Sequence, residues 1–229
     1  MQAWAVVVAA GDGRRFGAAK QFVGLAGRRV VDWSLEVARE VCAGVVLVVP
    51  ERGPEAATFQ GSADRVVTGG ATRSDSVRRG LAEVPVDIPL ILVHDAARPL
   101  SSVELWRQVI AALEAGADAA IPAVALSDTV KQVTDLGRLV TLDRSKLVAV
   151  QTPQGFRAEV LRQVHSTRAQ ATDDAALVEA AGGLVELVDG SPDNLKITSP
   201  SDLVVAEALI AARRAGTLPG RGRSQGEAD

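Results

Sequence analysis

The sequence of 229 residues is poor in aromatic residues and in cysteine. It contains no tyrosine, and all aromatic residues together make up 3% of the chain. A protein that stacks the bases of single-stranded nucleic acid on exposed rings needs more aromatic side chains than this. The single Cys42 cannot form an internal disulfide bond, and its apolar helical pattern indicates a core residue. Hydrophobic residues make up 47% of the chain, so the core must consist mainly of aliphatic side chains.

The chain also lacks an excess of positive charge and a long apolar run. Its 25 Lys and Arg residues stand against 28 Asp and Glu, a net charge of −3. This balance provides no basic surface for DNA, RNA or an anionic membrane. No apolar run approaches the ~18 residues of a membrane-spanning helix, and the N-terminus has no basic segment of the kind that opens a signal peptide. We therefore expect a cytoplasmic protein with no nucleic acid and no membrane as its partner.

What the sequence does contain at its start is an apolar run, residues 3–10, followed by a glycine-rich, cationic loop. The length and valine content of the run are typical of a strand buried on both faces of a parallel sheet. Gly11 and Gly13 let the backbone approach a ligand closely, and Arg15 and Lys20 add positive charge. Such a loop at the carboxyl edge of a sheet predicts a phosphate site.

The kind of phosphate site is narrowed by what this loop does not match. No Gly-Lys-Ser/Thr follows it, which excludes a Walker A loop. Phe16 stands where a dinucleotide-binding loop has its third glycine, and the acidic ribose ligand expected about 20 residues further on is absent. An NAD-dependent oxidoreductase is therefore not favoured. The cationic side chains favour a nucleoside triphosphate, and the alternative is a tight turn with solvated arginines.

A second glycine-rich turn lies in the stretch TGGATRSDSV, residues 68–77. The backbone at Gly69 and Gly70 and the hydroxyl of Ser76 are suited to hold a base or a ribose. The same stretch is suited to cap the N-terminus of a helix through Thr72 or Ser74. The two interpretations are compatible.

Asp95 follows another apolar run, residues 90–94, which predicts a buried strand. A carboxylate at the end of a central parallel strand points into the ligand crevice. There it can bind Mg²⁺, a cation that takes oxygen ligands and bridges phosphates. The alternative is that Asp95 forms a structural ion pair with Arg98. His94 is interpreted as a packed core histidine.

Strands alternate with helices along most of the chain, which predicts the α/β class. We expect a three-layer α/β/α sandwich around a mostly parallel, Rossmann-like sheet, forming one domain over residues 1–218. Thr172, Asp173 and Asp174 predict the capped start of a helix with an acidic first turn. Residues 219–229 are rich in glycine, arginine and serine and are predicted to be a disordered tail.

The alternation breaks at about residues 125–147, where the pattern predicts an inserted β-hairpin arm. Polar and apolar residues alternate over 127–133, a turn follows, and the pattern returns over 138–143. Because an isolated two-stranded hairpin is marginally stable, we expect the arm to pack on a second subunit.

Seven motifs occur in order along residues 3–212: AAGDGRRF with KQF, GGATRSDSV, VHDAARP, DTVKQV, QTPQGF, TDDAALVE and DNLKITSPSDL. Each motif alone is weak, but together they resemble the 2-C-methyl-D-erythritol 4-phosphate cytidylyltransferase family. The resemblance implies a nucleotidyltransferase fold and a homodimer in which the β-arm crosses to the partner. It also implies the reaction of CTP with methylerythritol phosphate to give 4-diphosphocytidyl-2-C-methyl-D-erythritol and pyrophosphate, in non-mevalonate isoprenoid biosynthesis.

The resemblance assigns a role to each candidate residue. The catalytic cations, which would stabilise charge on the α-phosphate and pyrophosphate, would be Arg15, Lys20 and Lys196. The nucleotide would be bound by Ala9, Ala10, Gly11, Gly13, Gly69, Gly70, Ser76, Asp95 and Ala96, with Asp95 also holding Mg²⁺ or another divalent metal. The polyol phosphate would be bound by Arg98, Thr129, Arg144, Thr152 and Asp193, with Thr129 and Arg144 reaching in from the partner subunit.

The chain departs from the family pattern in two places, and two other functions remain open. Ala71 stands where many members have an aspartate, and the loop between Arg15 and Lys20 is short. One alternative is a cytidylyltransferase for another polyol phosphate, such as ribitol 5-phosphate. The other is a non-catalytic nucleotide-binding module.

Overall fold

The fold is taken from a computed structural model that describes residues 2–11, 16, 19–51, 56–59 and 61–218. Its strands are β1 (Ala3–Val8), β2 (Gly24–Leu25), β3 (Arg28–Arg29), β4 (Gly44–Val49), β5 (Arg65–Thr68), β6 (Leu90–Asp95), β7 (Ala119–Ala125), β8 (Lys131–Val133), β9 (Leu139–Thr141), β10 (Val148–Val150), β11 (Gln154–Arg157) and β12 (Val185–Asp189). Its α-helices are α1 (Val30–Val41), α2 (Arg73–Glu83), α3 (Val103–Ala115), α4 (Ala158–Ser166), α5 (Ala175–Ala180) and α6 (Pro200–Arg214).

Eight of these strands form one mostly parallel sheet in the order β10-β7-β11-β6-β1-β4-β5, with β12 paired to β7. The first strand, β1, lies between β6 and β4 and is parallel to both. The strand β11 lies antiparallel between β6 and β7. The predicted α/β sandwich is confirmed, but β11 was not predicted, because its short segment directly after Pro153 carries no apolar alternation.

Side-chain alternation along the central strands builds two cores, one on each face of the sheet. Ala5 and Val7 of β1 point to the face covered by α1 and α3, where Leu35 and Trp106 are buried. Val6 points to the opposite face, covered by α2, α4 and α5. Both faces of the sheet are therefore buried, which explains why the sequences of the central strands are continuous apolar runs.

Cys42 belongs to the first of these cores. Burial raises the pKa of its thiol to about 12. The predicted core role of Cys42 is confirmed.

The C-terminal helix α6 packs on a third cluster, apart from the sheet. Ile210 of α6 lies with Leu25, Trp33 and Ile197 in this cluster. The helix begins with a capping box in which the Asp202 side chain accepts from the Ser199 backbone. Ile197 donates its backbone N–H to the carbonyl of Ala97 at 2.8 Å. These contacts hold the segment before α6 at the carboxyl end of β6.

The arm projects as the antiparallel pair β8–β9, within the range given by its sequence pattern. Four large apolar side chains on this pair and its turn are exposed, namely Val133, Leu136, Leu139 and Val140. The predicted tail, residues 219–229, lies outside the described residues. Over the part of the chain that the structure describes, no helix has the length and apolarity needed to cross a membrane.

Candidate active site

The carboxyl ends of β1 and β6 open into a cavity of about 550 Å³. Both glycine-rich turns and the segment before α6 contribute to its wall. The side chains and backbone that line it belong to Val8, Ala9, Ala10, Gly11, Phe16, Lys20, Gln21, Gly70, Ala71, Thr72, Arg73, Ser76, Asp95, Ala97, Lys196 and Thr198. Eight of the residues proposed from the sequence therefore meet in one pocket: Ala9, Ala10, Gly11, Lys20, Gly70, Ser76, Asp95 and Lys196.

The first glycine-rich turn is held in place by a buried glutamine. Gln21, which is 3% exposed, donates from Nε2 to the carbonyl of Ala9 at 2.5 Å and to that of Gly11 at 2.9 Å. Sequence reasoning did not identify Gln21, although it stands in the KQF part of the first motif. Arg15 and Gly13, proposed for phosphate binding, lie outside the described residues.

The second glycine-rich turn packs directly against the first. A Cβ atom at Gly69 would lie 2.3 Å from the Cβ of Ala10, so a side chain there would push the two turns apart. Gly70 donates its N–H to the hydroxyl of Ser76 at 3.1 Å, and that hydroxyl donates to the Thr72 carbonyl. Thr72 also caps α2 by accepting from the N–H of Asp75. The capping interpretation is confirmed, and it is compatible with nucleotide binding at the same turn.

Gly69 and Ala96 support the pocket from outside its lining. Gly69 lines an adjoining cavity of about 270 Å³ together with Ala71. Ala96 is buried and donates its N–H to the Val8 carbonyl at 3.0 Å, which ties the end of β6 to the end of β1.

Asp95 is the electrostatic centre of the pocket. Its Oδ2 lies 2.5 Å from Nζ of Lys196, and its Oδ1 lies 3.5 Å from Nε of Arg73. Burial favours the neutral acid, but the attraction of Lys196, Arg73 and Arg98 outweighs it and holds the pKa of Asp95 well below its ordinary value. The carboxylate is therefore ionised at neutral pH. The alternative of a direct pair between Asp95 and Arg98 is wrong, because the carboxylate is paired with the other two cations instead.

Arg98 turns away from Asp95 toward backbone carbonyls. Its guanidinium donates to the Asn194 carbonyl at 2.7 Å and to the Val150 carbonyl at 3.3 Å. Burial lowers the pKa of Arg98, and nearby Asp95 acts in the opposite sense. Its proposed contact with the polyol phosphate stays a prediction.

Thr152 fixes the backbone on which Asp95 sits. Its hydroxyl oxygen accepts from the N–H of Asp95 at 3.0 Å and lies 3.1 Å from Nδ1 of His94. His94 is fully buried beside Trp106, as its interpretation as a core histidine requires. Thr152 therefore does not line the pocket but contacts Asp95, which does.

The remaining candidates for the polyol site lie outside the pocket lining. Asp193 forms an ion pair with Arg213 of α6 at 2.9 Å. Thr129 and Arg144 lie exposed beside the arm, where Arg144 donates to the carbonyl of Ser127. Their proposed role across a subunit interface stays a prediction.

A second group of charges lies behind the pocket and was missed by sequence reasoning. Asp174 is buried and accepts from Nη1 of Arg73 at 2.7 Å, while its other oxygen lies 2.9 Å from Nε2 of His165. The predicted acidic first turn of a helix is wrong, because α5 begins at Ala175 and both Asp173 and Asp174 precede it. The predicted cap is provided by Asp173, which accepts the N–H of Ala176. The adjacent acids Asp173 and Asp174 were the available signal in the sequence, because one acid is enough to cap a helix and the second must have another partner.

Among the described residues, no group of three His, Cys, Asp or Glu side chains is arranged to hold a metal ion. A site for Mg²⁺ does not require one, because Mg²⁺ is commonly held by one or two carboxylates together with substrate phosphates and water. The single ionised carboxylate of Asp95, facing a cavity next to a glycine-rich turn, fits that donor set.

Comparison with known proteins agrees with this geometry. Residues 3–212 match the family model of 2-C-methyl-D-erythritol 4-phosphate cytidylyltransferase. The enzyme of that description from Saccharopolyspora erythraea is 43% identical over 225 residues, which cover 92% of this chain and 100% of the relative. The one from Rubrobacter xylanophilus is 44% identical over 220 residues, covering 91% of this chain and 95% of the relative.

Solved structures of the same description share the fold. The crystal structure of 2-C-methyl-D-erythritol 4-phosphate cytidylyltransferase from Thermus thermophilus is 35% identical, with a TM-score of 0.78 over 90% of this chain and 98% of that one. The 4-diphosphocytidyl-2C-methyl-D-erythritol synthase from Anaerococcus prevotii is 28% identical, with a TM-score of 0.80 over 92% and 96% of the two chains. A match over nearly the whole chain, in sequence and in fold, shows that the protein belongs to the 2-C-methyl-D-erythritol 4-phosphate cytidylyltransferase family, the nucleotidyltransferases that transfer CMP from CTP to this sugar phosphate in isoprenoid biosynthesis.

Proposed function

We propose that this chain carries out its family's reaction in the cavity at the carboxyl ends of β1 and β6. A phosphate oxygen of 2-C-methyl-D-erythritol 4-phosphate attacks the α-phosphorus of CTP in line. The new P–O bond forms as the bond from the α-phosphorus to the oxygen bridging to the β-phosphate breaks, and pyrophosphate leaves. Because the attacking phosphate is already ionised, the reaction requires positioning and charge neutralisation rather than a nucleophilic side chain.

The observation that carries this proposal is the meeting of cations from opposite ends of the chain. Lys20, Arg73 and Lys196 all line the same cavity, and the guanidinium of Arg73 faces Asp95. Neutralising a triphosphate and a leaving pyrophosphate requires such a concentration of positive charge. We assign charge stabilisation to Lys20 and Lys196, together with Arg15.

The two glycine-rich turns are proposed to hold the nucleotide. The backbone of Ala9, Ala10 and Gly11 borders the cavity without bulky side chains. The N–H of Ala9 is donated to the Val48 carbonyl, so the N–H groups proposed to approach the phosphates are those of Ala10 and Gly11. The second turn packs beside the first: Gly70 and Ser76 line the cavity, and Gly69 and Gly70 line the adjoining smaller one, which suits the base and ribose. Ala71 offers no side-chain hydrogen bond there, so recognition at this position falls to the backbone.

Asp95 is the proposed ligand of Mg²⁺. When bound, the ion supplies neutralisation of the charge on the nucleotide phosphates. Lys196 is 41% exposed, so its Nζ is free to turn from Asp95 toward the phosphates. Asp95 then keeps Arg73 as its partner on the opposite oxygen.

The polyol phosphate is proposed to bind beside this site, at the interface of a homodimer. Arg98, Thr152 and Asp193 approach from one protomer, and Thr129 and Arg144 from the arm of the partner. The exposed apolar surface of the arm, where Leu136 and Leu139 are 83% and 66% exposed, supports this assembly. A nucleoside triphosphate substrate and one free, buried thiol fit a reducing cytoplasm.

Pyrophosphate release tests the proposed reaction. The purified protein is incubated with Mg²⁺, CTP and 2-C-methyl-D-erythritol 4-phosphate, beside parallel reactions with ribitol 5-phosphate and with ATP, GTP or UTP. We expect release confined to CTP with the methylerythritol phosphate. Release with ribitol 5-phosphate alone would keep the mechanism and change the substrate, and CTP binding without release from any pair would leave a nucleotide-binding module.

A further inference from the structure

Four side chains behind the nucleotide pocket form a continuous series of contacts from the protein interior to the cavity. His165 contacts Asp174, Asp174 contacts Arg73, and Arg73 contacts Asp95, with atom-to-atom distances of 2.9, 2.7 and 3.5 Å. The Asp174 side chain is 1% exposed, whereas that of Arg73 is 24% exposed and borders the cavity. This series of contacts thus links a fully buried carboxylate to the wall of the active site.

Asp174 is not needed to cap the helix that it precedes. Asp173 accepts the N–H of Ala176 and thereby caps the first turn of α5. A buried charge is expensive to desolvate and is retained only where it is paired and hydrogen-bonded. Both oxygens of Asp174 are occupied, one by Arg73 and one by His165, so its position is fixed from two sides.

The guanidinium of Arg73 contacts a carboxylate on each of two edges. Nη1 contacts Asp174 and Nε faces Asp95, and because the group is planar and rigid, fixing one edge fixes the other. Burial acts to lower the pKa of Arg73, but attraction to Asp174 and then to Asp95 outweighs it and raises the pKa. Asp174 is the nearer of the two carboxylates.

The segment that carries Asp174 also braces the second glycine-rich turn. The hydroxyl of Ser74 donates to the Ala171 carbonyl, and that of Thr72 donates to the side-chain oxygen of Gln170 at 2.7 Å. Arg78 donates to the Ala169 carbonyl at 3.2 Å. Residues 165–174 therefore form a buttress behind the pocket, with Asp174 as its charged contact.

We propose that Asp174, held by His165, is a positioning residue that orients Arg73 against Asp95 and thereby sets the affinity for the nucleotide. Without the anchor, the guanidinium is free to swing toward Asp95 and to compete with the groups that Asp95 binds. The inference rests on the proposed nucleotide site. It adds to that site a pair of residues that touch neither substrate.

The test compares Asp174→Asn with Asp173→Asn, a matched control on the same turn that removes an equal charge without a direct contact to Arg73. CTP affinity is measured by calorimetry with Mg²⁺ and no polyol phosphate, and folding by circular dichroism and thermal unfolding. Loss of a charge-assisted hydrogen bond should weaken CTP binding about tenfold in Asp174→Asn. The control should change it less than about twofold; equal losses in both variants would overturn the inference.

A double-variant cycle separates positioning from general destabilisation. In an Arg73→Gln background, Asp174→Asn should have almost no further effect on CTP affinity, because the residue through which it acts is absent. A full additional loss in that background would overturn the inference. In kinetics, the KM for CTP should rise while the KM for the polyol phosphate stays constant, and a parallel rise in both would also contradict it.

His165→Phe provides a variant for the case in which Asp174→Asn fails to fold. It keeps a ring of similar size and leaves the Asp174–Arg73 contact, but it removes the second anchor of the carboxylate. We expect weaker CTP binding, and an unchanged dissociation constant would overturn the role of the pair. If the wild-type protein itself did not bind CTP, the proposed nucleotide site would fall, which distinguishes that failure from one of Asp174 alone.

Discussion

At the scale of single residues, the proposed role of Lys196 allows the most direct test. Its Nζ lies 2.5 Å from Asp95 at the cavity wall. Lys196→Ala removes a cation proposed to stabilise transition-state charge, so turnover should fall about 10²-fold or more with the fold retained. Arg107→Ala, which removes an exposed charge of α3 away from the cavity, is the control. Steady-state pyrophosphate release measures both, and an unchanged rate in Lys196→Ala would remove it from the catalytic set.

The lowered pKa of Asp95 predicts how the stability of the fold depends on pH in acid. Its pKa is lower in the folded state than in the unfolded chain, so its ion pairs stabilise the fold fully above about pH 4 and less as the pH falls toward the folded pKa. The difference in unfolding free energy between the wild type and Asp95→Asn should be constant from about pH 5 to 7 and should narrow by about 1 kcal/mol at pH 3. Urea unfolding at each pH measures it. A difference that stayed constant to pH 3 would mean that Asp95 is not held as an anion.

Sequence reasoning at this scale identified several residues that line the cavity and missed residues that contact this lining from behind. Glycines after an apolar strand, and Asp95 at a strand end, are local signals. Gln21 and Asp174 are buried polar residues whose partners are 10 to 12 and 101 residues away in the chain. No local pattern identifies the partner in such a contact, because the contact exists only after the fold has brought the segments together.

At the scale of elements, the arm gives a prediction about assembly. Val133 and Leu139 are cross-strand partners on β8 and β9, and both are exposed. If they are covered by a partner, the double variant Val133→Ser and Leu139→Ser should shift the protein from dimer to monomer and reduce turnover together, since Arg144 then has no partner site to reach. Light scattering with an activity assay measures both.

A matched control for the arm is Val86→Ser, at a residue that is 90% exposed and lies between α2 and β6. This change should alter neither mass nor activity. A monomeric wild type, or an arm variant that remains dimeric, would contradict the proposed assembly.

The long elements were predictable, whereas some of the short ones were not. α6 has every start signal in its sequence, with Ser199 as cap, proline in the first turn and Asp202 in the capping box. β1 and β4 are apolar runs with no competing interpretation. β11 and the small β2–β3 pair are too short for periodicity to indicate them, and they are stabilised by neighbours in the sheet or, for Leu25, by packing under α6.

At the scale of the whole molecule, nucleotide binding should stabilise the fold. A ligand at 100 times its dissociation constant adds about 2.7 kcal/mol, which for a chain of this size corresponds to roughly 5–10 °C in Tm. We expect that shift with CTP and Mg²⁺, and a smaller one with ATP. Thermal unfolding of Lys196→Ala under the same conditions should show a smaller rise in Tm. No shift in the wild type would contradict the assignment of the cavity to CTP.

The two ion pairs that complete the site, Asp95 with Lys196 and Arg73 with Asp174, each join residues 101 positions apart. Contacts of such long range form late in folding, because the intervening chain must first be ordered. During synthesis, β1, β4, β5 and β6 are available to pair well before Asp174 and Lys196 leave the ribosome. The emerging chain therefore contains both glycine-rich turns before the charges that complete the proposed pocket have been synthesised, so we expect CTP to bind only after Asp174 and Lys196 have joined the fold.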